Sequence, residues 1–388
     1  MRETIFNIHD LVLMMTSIQC VCFVILLLAT NPPNNRSNYW LAAFLITQAF
    51  IPMNELVLWG TDFRGLMLAN YPRLFFWMGF AYFLDGALLY FYVKSLVYRD
   101  FSLHKRDVLH VIPVLIFFVF LACTFYSYSL AERVNLIEHD IYVYSVPYLA
   151  VDFIGKLGRV FYCAACVMLI LQYKDQLKTT HSTIERVDIS WLTLLVIGFL
   201  IVTLITAALG LAKIIHIFWG FHPNLFQIMG LTSYYSVFFL VLILVFSSMR
   251  YFVTFESIKQ QKDSQKQVPE AKLVNIAFAE KIDTAMRTQK LYLSPELTLD
   301  ALSETLHIPS KDLSLIFNRH FNSNFYEFIN GYRIEEAKRI LLDPSSKSKT
   351  ITQIYLEVGF NSKSVFNTFF KKIVGKTPSE FRHAQAPL

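Results

Sequence analysis

Five residues on one apolar stretch have the types and spacing to act together. Asp152, Lys156, Arg159, Cys163 and Cys166 follow one another at steps of 4, 3, 4 and 3, which puts their side chains on a single face of an α-helix. Glu55 and Asp85 lie in two other apolar stretches. Charges amid hydrocarbon are costly, so such residues turn inward, where they pair with one another or line a polar pocket. Asp85 is the natural partner of Lys156 or Arg159. Glu55, Asp85, Asp152, Lys156 and Arg159 therefore form a candidate site for a small ligand held between helices. An ion-pair network that only fastens the bundle, or a proton path, fits the same residues.

The remaining chemistry-bearing side chains argue against catalysis. All five cysteines (Cys20, Cys22, Cys123, Cys163, Cys166) sit in apolar stretches, so no disulfide framework is expected. Cys163-x-x-Cys166 has no second ligand pair beside it and reads as structural. His216 and His222 do not make a metal site, and the apolar stretches contain no G-x-S-x-G or H-E-x-x-H. No catalytic residue, cofactor or metal is assigned, and the chain is not read as an enzyme. A membrane enzyme using Glu55, Asp85 and Asp152 is the rival reading.

A second set of residues points to nucleic acid. Leu297–Phe321 reads as a helix capped by Thr298, a turn at His307-Ile-Pro309, and a helix that buries Leu313, Ile316, Phe317 and Phe321 while showing Lys311, Ser314, Leu315 and Asn318. The arrangement recurs. Thr350-x-x-Gln353 has the form of a capping box, Gly359-Phe-Asn-Ser362 makes the turn, and the next helix buries Phe366, Phe369, Phe370 and Ile373. Its exposed face carries Lys363, Ser364, Asn367, Thr368 and Lys371. The first helices match at an offset of 52 residues and the second at 53, which defines a repeated helix-turn-helix at 298–321 and 350–374. Phe325–Leu342 joins the copies as one helix. Two such helices about one DNA turn apart (~34 Å) can enter successive major grooves. Residues 344–388 hold seven Lys/Arg against Glu357 and Glu380, which suits phosphate contact.

The elements that must position these residues are of two kinds. Hydrophobic residues make up 55% of the 388 and charged ones only 16%. Residues 1–249 carry 15 Lys+Arg and 14 Asp+Glu, whereas 250–388 carry 20 and 15 in little more than half the length. A single soluble domain is thereby excluded, and so is a wholly membrane-embedded chain. Seven segments have the ~20 apolar residues that a membrane-crossing helix needs. They are Asp10–Thr30, Asn38–Trp59, Leu74–Tyr98, Val108–Leu130, Pro147–Tyr173, Ile189–Ala212 and Leu225–Ser248, with polar connectors that include Glu132–Asp140 and Lys174–Asp188. With the N-terminus outside, inner loops hold Arg36, Arg99, Lys105, Arg106, Lys174, Lys178 and Arg186, and outer segments hold Arg2, Arg64, Arg73, Arg133 and Lys213. That lean puts the C-terminal half in the cytoplasm. The predicted domains are a seven-helix sensor over 1–249, a signalling helix and linker over 250–274 whose apolar series continues from Met249 through Phe252, Phe255 and Ile258, and a DNA-binding domain over 275–388. The fold class is all-α.

Asn330-x-x-Arg333-x-x-x-Ala337-x-x-x-Leu341, Val358-Gly-Phe-Asn-Ser362 and Phe370-Lys-Lys-Ile-Val-Gly-Lys-Thr-Pro-Ser-Glu-Phe-Arg382 together resemble the AraC/XylS family of bacterial transcription regulators over residues 275–383. The resemblance implies that Lys311, Ser314, Leu315 and Asn318 line the first recognition helix. It also implies that Ser364, Asn367 and Thr368 read bases in the second, with Lys363 and Lys371 on phosphates. His307 and Asn322 stand where that family usually has glycine, and Tyr355 where alanine is common; His and Asn tolerate a left-handed backbone. The N-terminal half resembles no sugar-binding barrel, and the seven-span architecture is a minority form of the family. The expectation is a one-component regulator of the bacterial inner membrane, with its N-terminus outside and its DNA-binding domain in the cytoplasm. Expected partners are double-stranded promoter DNA, the lipid bilayer, a small-molecule ligand, a second copy in a homodimer, and RNA polymerase. A passive tether of DNA to the membrane is the remaining alternative.

Overall fold

A computed structural model describes residues 7–30, 36–98, 101–183, 190–219, 223–251 and 276–384. The chain forms two compact units. Of the described residues, the first holds 7–170 and 190–251, and the second holds 171–183 and 276–384. The described residues form helices and no β-strand, and an isolated antiparallel bridge joins His181 to Thr298. The expected signalling helix beyond Tyr251 and the linker to residue 275 lie outside the described residues.

The first unit contains α1 (Ile8–Thr30), α2 (Arg36–Trp59), α3 (Thr61–Asn70), α4 (Ala81–Val97), α5 (Ile112–Thr124), α6 (Leu130–Glu138), α7 (Val146–Thr180, whose last turns belong to the second unit), α8 (Ser190–Trp219) and α9 (Pro223–Tyr251). Among the described residues, six helical segments are long and apolar enough to cross a membrane: Ile8–Ala29, Ser37–Trp59, Pro72–Val97, Lys105–Thr124, Val146–Thr180 and Leu192–Ile217. The seventh expected segment coincides with α9, whose apolar described stretch is the shorter Ile228–Leu244. α1 packs on α2 and α9, α2 on α4, and α8 on α9. Large apolar side chains cover the outside, with Phe161 68% and Leu194 69% exposed.

Two connectors fold further than their composition suggested. Glu132–Asp140 was expected as a polar link, yet Leu130–Glu138 is helix α6. Its start is a capping box in which Ser129 N–H donates to Glu132 Oε2 at 2.8 Å. Arg64 of α3 holds the end of this helix through Asp140 at 2.5 Å and the Ile137 carbonyl. The fifth span also runs past Tyr173 to Thr180.

The second unit adds α10 (Ile276–Gln289), α11 (Leu299–Leu306), α12 (Ser310–Arg319), α13 (Phe325–Leu342), α14 (Ile351–Glu357), α15 (Lys363–Val374) and α16 (Pro378–Ala384). Two cores share α13. One gathers Ile282, Met286, Leu302, Leu313, Ile316 and Phe317 around Phe325 and Ile329, and the other gathers Ile354, Val358, Phe360, Phe366 and Phe370 around Ile334, Ala337 and Ile340. A helix buried on opposite sides has no single apolar stripe, whereas α11, α12 and α15 each have one. Two expected core residues are less buried than the pattern implied. Phe321 is half-buried against the first core, and Ile373 is 43% exposed because it falls one turn beyond the Phe369–Phe370 contact.

Candidate nucleic-acid interface and bundle cavity

Local chemistry explains why both helix pairs form. Thr298 Oγ1 accepts the Ala301 N–H at 3.1 Å and caps α11. Thr350 and Gln353 close a full capping box on α14, with Thr350 N–H to Gln353 Oε1 at 2.8 Å and Gln353 N–H to Thr350 Oγ1 at 3.2 Å. α11 ends on His307 in the left-handed region (φ +52°), and Asn322 after α12 is likewise left-handed (φ +47°). In the second pair the turn residue is Gly359, with φ +92°; a Cβ there would lie 2.7 Å from the Leu293 carbonyl oxygen. The two copies thus make the same bend with different residues.

The second helix of each pair presents the residues singled out above. On α12, Lys311 and Asn318 are exposed while Ser314 and Leu315 are half-buried; on α15, Lys363, Ser364, Thr368 and Lys371 are exposed and Asn367 is half-buried. Thr368 Oγ1 donates to the Ser364 carbonyl at 2.9 Å, which leaves its oxygen free to accept. Tyr355 fits beside α15 with its ring centroid 6.0 Å from that of Phe366. The basic tail divides into two groups. Lys349 pairs with Glu357 at 2.7 Å, Lys372 with Glu327 at 2.9 Å, and Arg382 donates to the Lys349 carbonyl at 2.8 Å. Lys347, Lys363, Lys371 and Lys376 stay exposed, so they are the cations best placed for an outside anion.

Residues 302–384 match a family model described as a helix-turn-helix domain. This part of the chain is a helix-turn-helix domain. Residues of this chain are 36% identical over 93 positions to an uncharacterized HTH-type transcriptional regulator of Staphylococcus aureus (strain COL), covering 24% of this chain and 12% of that protein. A second relative, an uncharacterized HTH-type transcriptional regulator in the cgkA 5' region of Pseudoalteromonas carrageenovora, is 26% identical over 125 residues, 32% of this chain and 72% of that one. The chain thus covers only about an eighth of the staphylococcal protein it matches. No solved structure matches the chain. The helix-turn-helix domain and its regulator-type relatives agree with the AraC/XylS resemblance of the C-terminal part.

In the first unit the five charged residues of the candidate site, Glu55, Asp85, Asp152, Lys156 and Arg159, fall into three groups. Asp85, buried, accepts from Arg159 Nε at 2.8 Å, Gln48 Nε2 at 3.0 Å and the Gly86 N–H at 2.7 Å. Lys156 pairs with Asp152 at 2.6 Å along the same helix. Glu55 accepts from Tyr82 at 2.5 Å and Tyr234 at 2.9 Å, and the Arg159 guanidinium lies 5.3 Å from the Tyr82 ring centroid. A cavity of about 340 Å³ adjoins them, lined by Glu55, Lys156 and Arg159 together with Asp10, Trp59, Tyr82, Lys213 and Tyr234. Asp85 and Asp152 do not line it; they pair with Arg159 and Lys156, which do. Lys213, expected in an outer segment, sits 5.1 Å from the Trp59 ring centroid. Its position follows from α8 running on past Ala212 to Trp219. Among the described residues, no His/Cys/Asp/Glu group could hold a metal ion.

Proposed function

We propose that the protein is a membrane-embedded, one-component transcription regulator whose helix-turn-helix domain binds promoter DNA sequence-specifically. The observation that carries this reading is the repeated motif. Two capped helix pairs share one buried helix, and each has an outward face of amide, hydroxyl and lysine side chains that are exposed or half-buried. Asn318, Ser314, Leu315, Ser364, Asn367 and Thr368 read base edges, and Lys311, Lys363 and Lys371 contact phosphates. Dimers of this chain bind the duplex in the cytoplasm and act on RNA polymerase.

Support for the membrane part is the six long apolar helices and the apolar side chains on their outer surface. Lipid accepts such a surface, and water does not. The cavity beside Glu55, Lys156 and Arg159 receives the signal, a small molecule with polar groups. It lies toward the end of the bundle where α1 begins, since Asp10, Trp59 and Lys213 all line it; with the N-terminus outside, that end faces away from the cytoplasm.

Footprinting of the full chain in lipid nanodiscs on the DNA flanking its own gene, across a salt series, tests this reading. The expected result is a discrete protected site that the double substitution Lys311→Ala/Asn367→Ala abolishes. Uniform, salt-sensitive coating that the same substitutions leave unchanged would rule out sequence-specific reading.

A further inference from the structure

The surface of the second unit around Arg333 is occupied by a short stretch of the same chain. α7 ends at Thr180, and the next three residues enter that surface. Ser182 is buried: its N–H and its Oγ both donate to the Leu297 carbonyl, at 3.1 and 2.6 Å. Its own carbonyl accepts from Asn330 Nδ2 at 3.2 Å and Arg333 Nη1 at 3.1 Å, and its Oγ accepts from Arg333 Nη2 at 3.1 Å. Thr183 Oγ1 accepts from Arg333 Nη1 at 3.2 Å. The rest of the guanidinium reaches the Tyr292 and Ser294 carbonyls, both at 2.7 Å, and lies 5.6 Å from the Phe360 ring centroid.

The location gives the contact its consequence. Leu297 precedes Thr298, the cap of the first motif; Phe360 stands in the turn of the second; Arg333 is on α13, which joins them. The bridge between His181 and Thr298 adds backbone pairing at the same cap. A fully buried arginine needs its donors met, and here a segment outside the helix-turn-helix domain meets several of them. The site suits an extended backbone carrying a small hydroxyl residue, which both donates and accepts. The helix that delivers this residue is the one that carries Lys156 and Arg159.

We propose that Leu297, Asn330 and Arg333 form a docking surface whose partner is residues 181–183 of the same chain. Through this contact α7 sets the arrangement of the two motifs for DNA. The second half of the proposal rests on the DNA-binding reading; the first half does not. Docking holds the first motif's cap against α13, so its loss loosens the pair and weakens DNA binding.

The test uses the full chain in nanodiscs, with Ser182→Pro, which removes the N–H and the hydroxyl, and Ser182→Ala, which removes only the hydroxyl. Ser348→Ala, at an exposed site, is the control. Hydrogen exchange across residues 292–298 and 330–334 should quicken more than tenfold in Ser182→Pro and less in Ser182→Ala. DNA affinity by footprinting should fall about tenfold in Ser182→Pro. Unchanged exchange in both variants overturns the docking surface. Faster exchange with unchanged affinity overturns the coupling to DNA and leaves a structural contact. If Ser182→Pro fails to insert, Ser182→Ala alone decides by the same readings. Absence of any footprint with the unsubstituted chain refutes the DNA-binding reading instead, and the exchange result still decides the docking.

Discussion

The two units each bury an arginine, and the groups that hydrogen-bond to it differ between them. In the helix bundle, Arg159 is met by the Asp85 carboxylate, with Tyr82 against its face. In the C-terminal unit, Arg333 is met by the carbonyls of Tyr292, Ser294 and Ser182 and by hydroxyl and amide oxygens. Backbone structure explains the difference. A bundle of long helices has spent its carbonyls on internal hydrogen bonds, so a guanidinium there must be balanced by a side-chain anion. A domain of short helices leaves carbonyls at its turns, and a forked cation can gather several of them into one junction. The first solution fastens two helices; the second ties together caps and turns from distant parts of the sequence.

Breaking the bundle's arrangement should have the largest effect. Asp85→Leu leaves Arg159 buried without its anion and should cost about 3–5 kcal/mol, whereas Asp85→Leu with Arg159→Met should recover most of the loss. Thermal melting of the purified protein in detergent checks this, and equal melting of the single and double variants would show that the pair is not the fastening. Arg333→Lys sharpens the other half of the comparison. A point ammonium cannot span the carbonyls that the fork reaches, so the C-terminal unit should lose about 2 kcal/mol, read as faster hydrogen exchange along α13. Unchanged exchange would mean that the carbonyl junction contributes little.

Much of this was legible in the sequence, for physical reasons particular to each residue. Apolar length marked the long helices, because lipid and core both require it. Thr298 and the Thr350–Gln353 pair signalled helix starts through the donors they satisfy, whereas the left-handed positions at His307 and Asn322 followed only from the AraC/XylS resemblance, which puts glycine there. The pairing of Asp85 with Arg159 rather than Lys156 needed the bundle's geometry, since both cations lie on the same helix face. Helix α6 is short and polar, so composition hides it and only the Ser129–Glu132 cap marks its start. Ser182 carried no signal at all: it sits in a polar connector, and only the path of α7 brings it to Arg333. Lys213 was likewise invisible as a cavity residue until the length of α8 was known.

Smaller effects separate the roles of the residues on the outward faces of α12 and α15. Asn367→Ala should lower affinity for the specific site by about 1–2 kcal/mol and leave non-specific binding alone. Lys371→Ala should weaken binding to all sequences alike and lower the slope of log affinity against log salt by about 1. A salt-titrated footprint distinguishes the two, and identical behaviour of the variants would contradict the division into base and phosphate contacts. The smallest effect concerns acid. Hydrogen bonds from Arg339 and Lys290 hold the Glu336 carboxyl down at about 2, against an ordinary 4.5, despite the opposing effect of its burial. A carboxyl held low in the folded state stabilises it above the unfolded value and loses that contribution as pH falls from 4.5 toward 2. Glu336→Gln should therefore cost about 1 kcal/mol at neutral pH, and the difference from the unsubstituted protein should vanish toward pH 2. Pepsin susceptibility of the C-terminal unit between pH 4.5 and 2 follows this, and a difference that persists at pH 2 would contradict it.

We propose that the two motifs read neighbouring grooves of one duplex. The most direct test attaches an iron chelate to Asn318→Cys or to Asn367→Cys, in a full chain whose exposed Cys22 and Cys123 are replaced by serine, and maps DNA cleavage at the protected site. For each bound chain the two positions should give cleavage centres on the same face of the duplex, about one helical turn (~10 base pairs) apart. Cleavage from only one of the two positions, or centres on opposite faces, would contradict it.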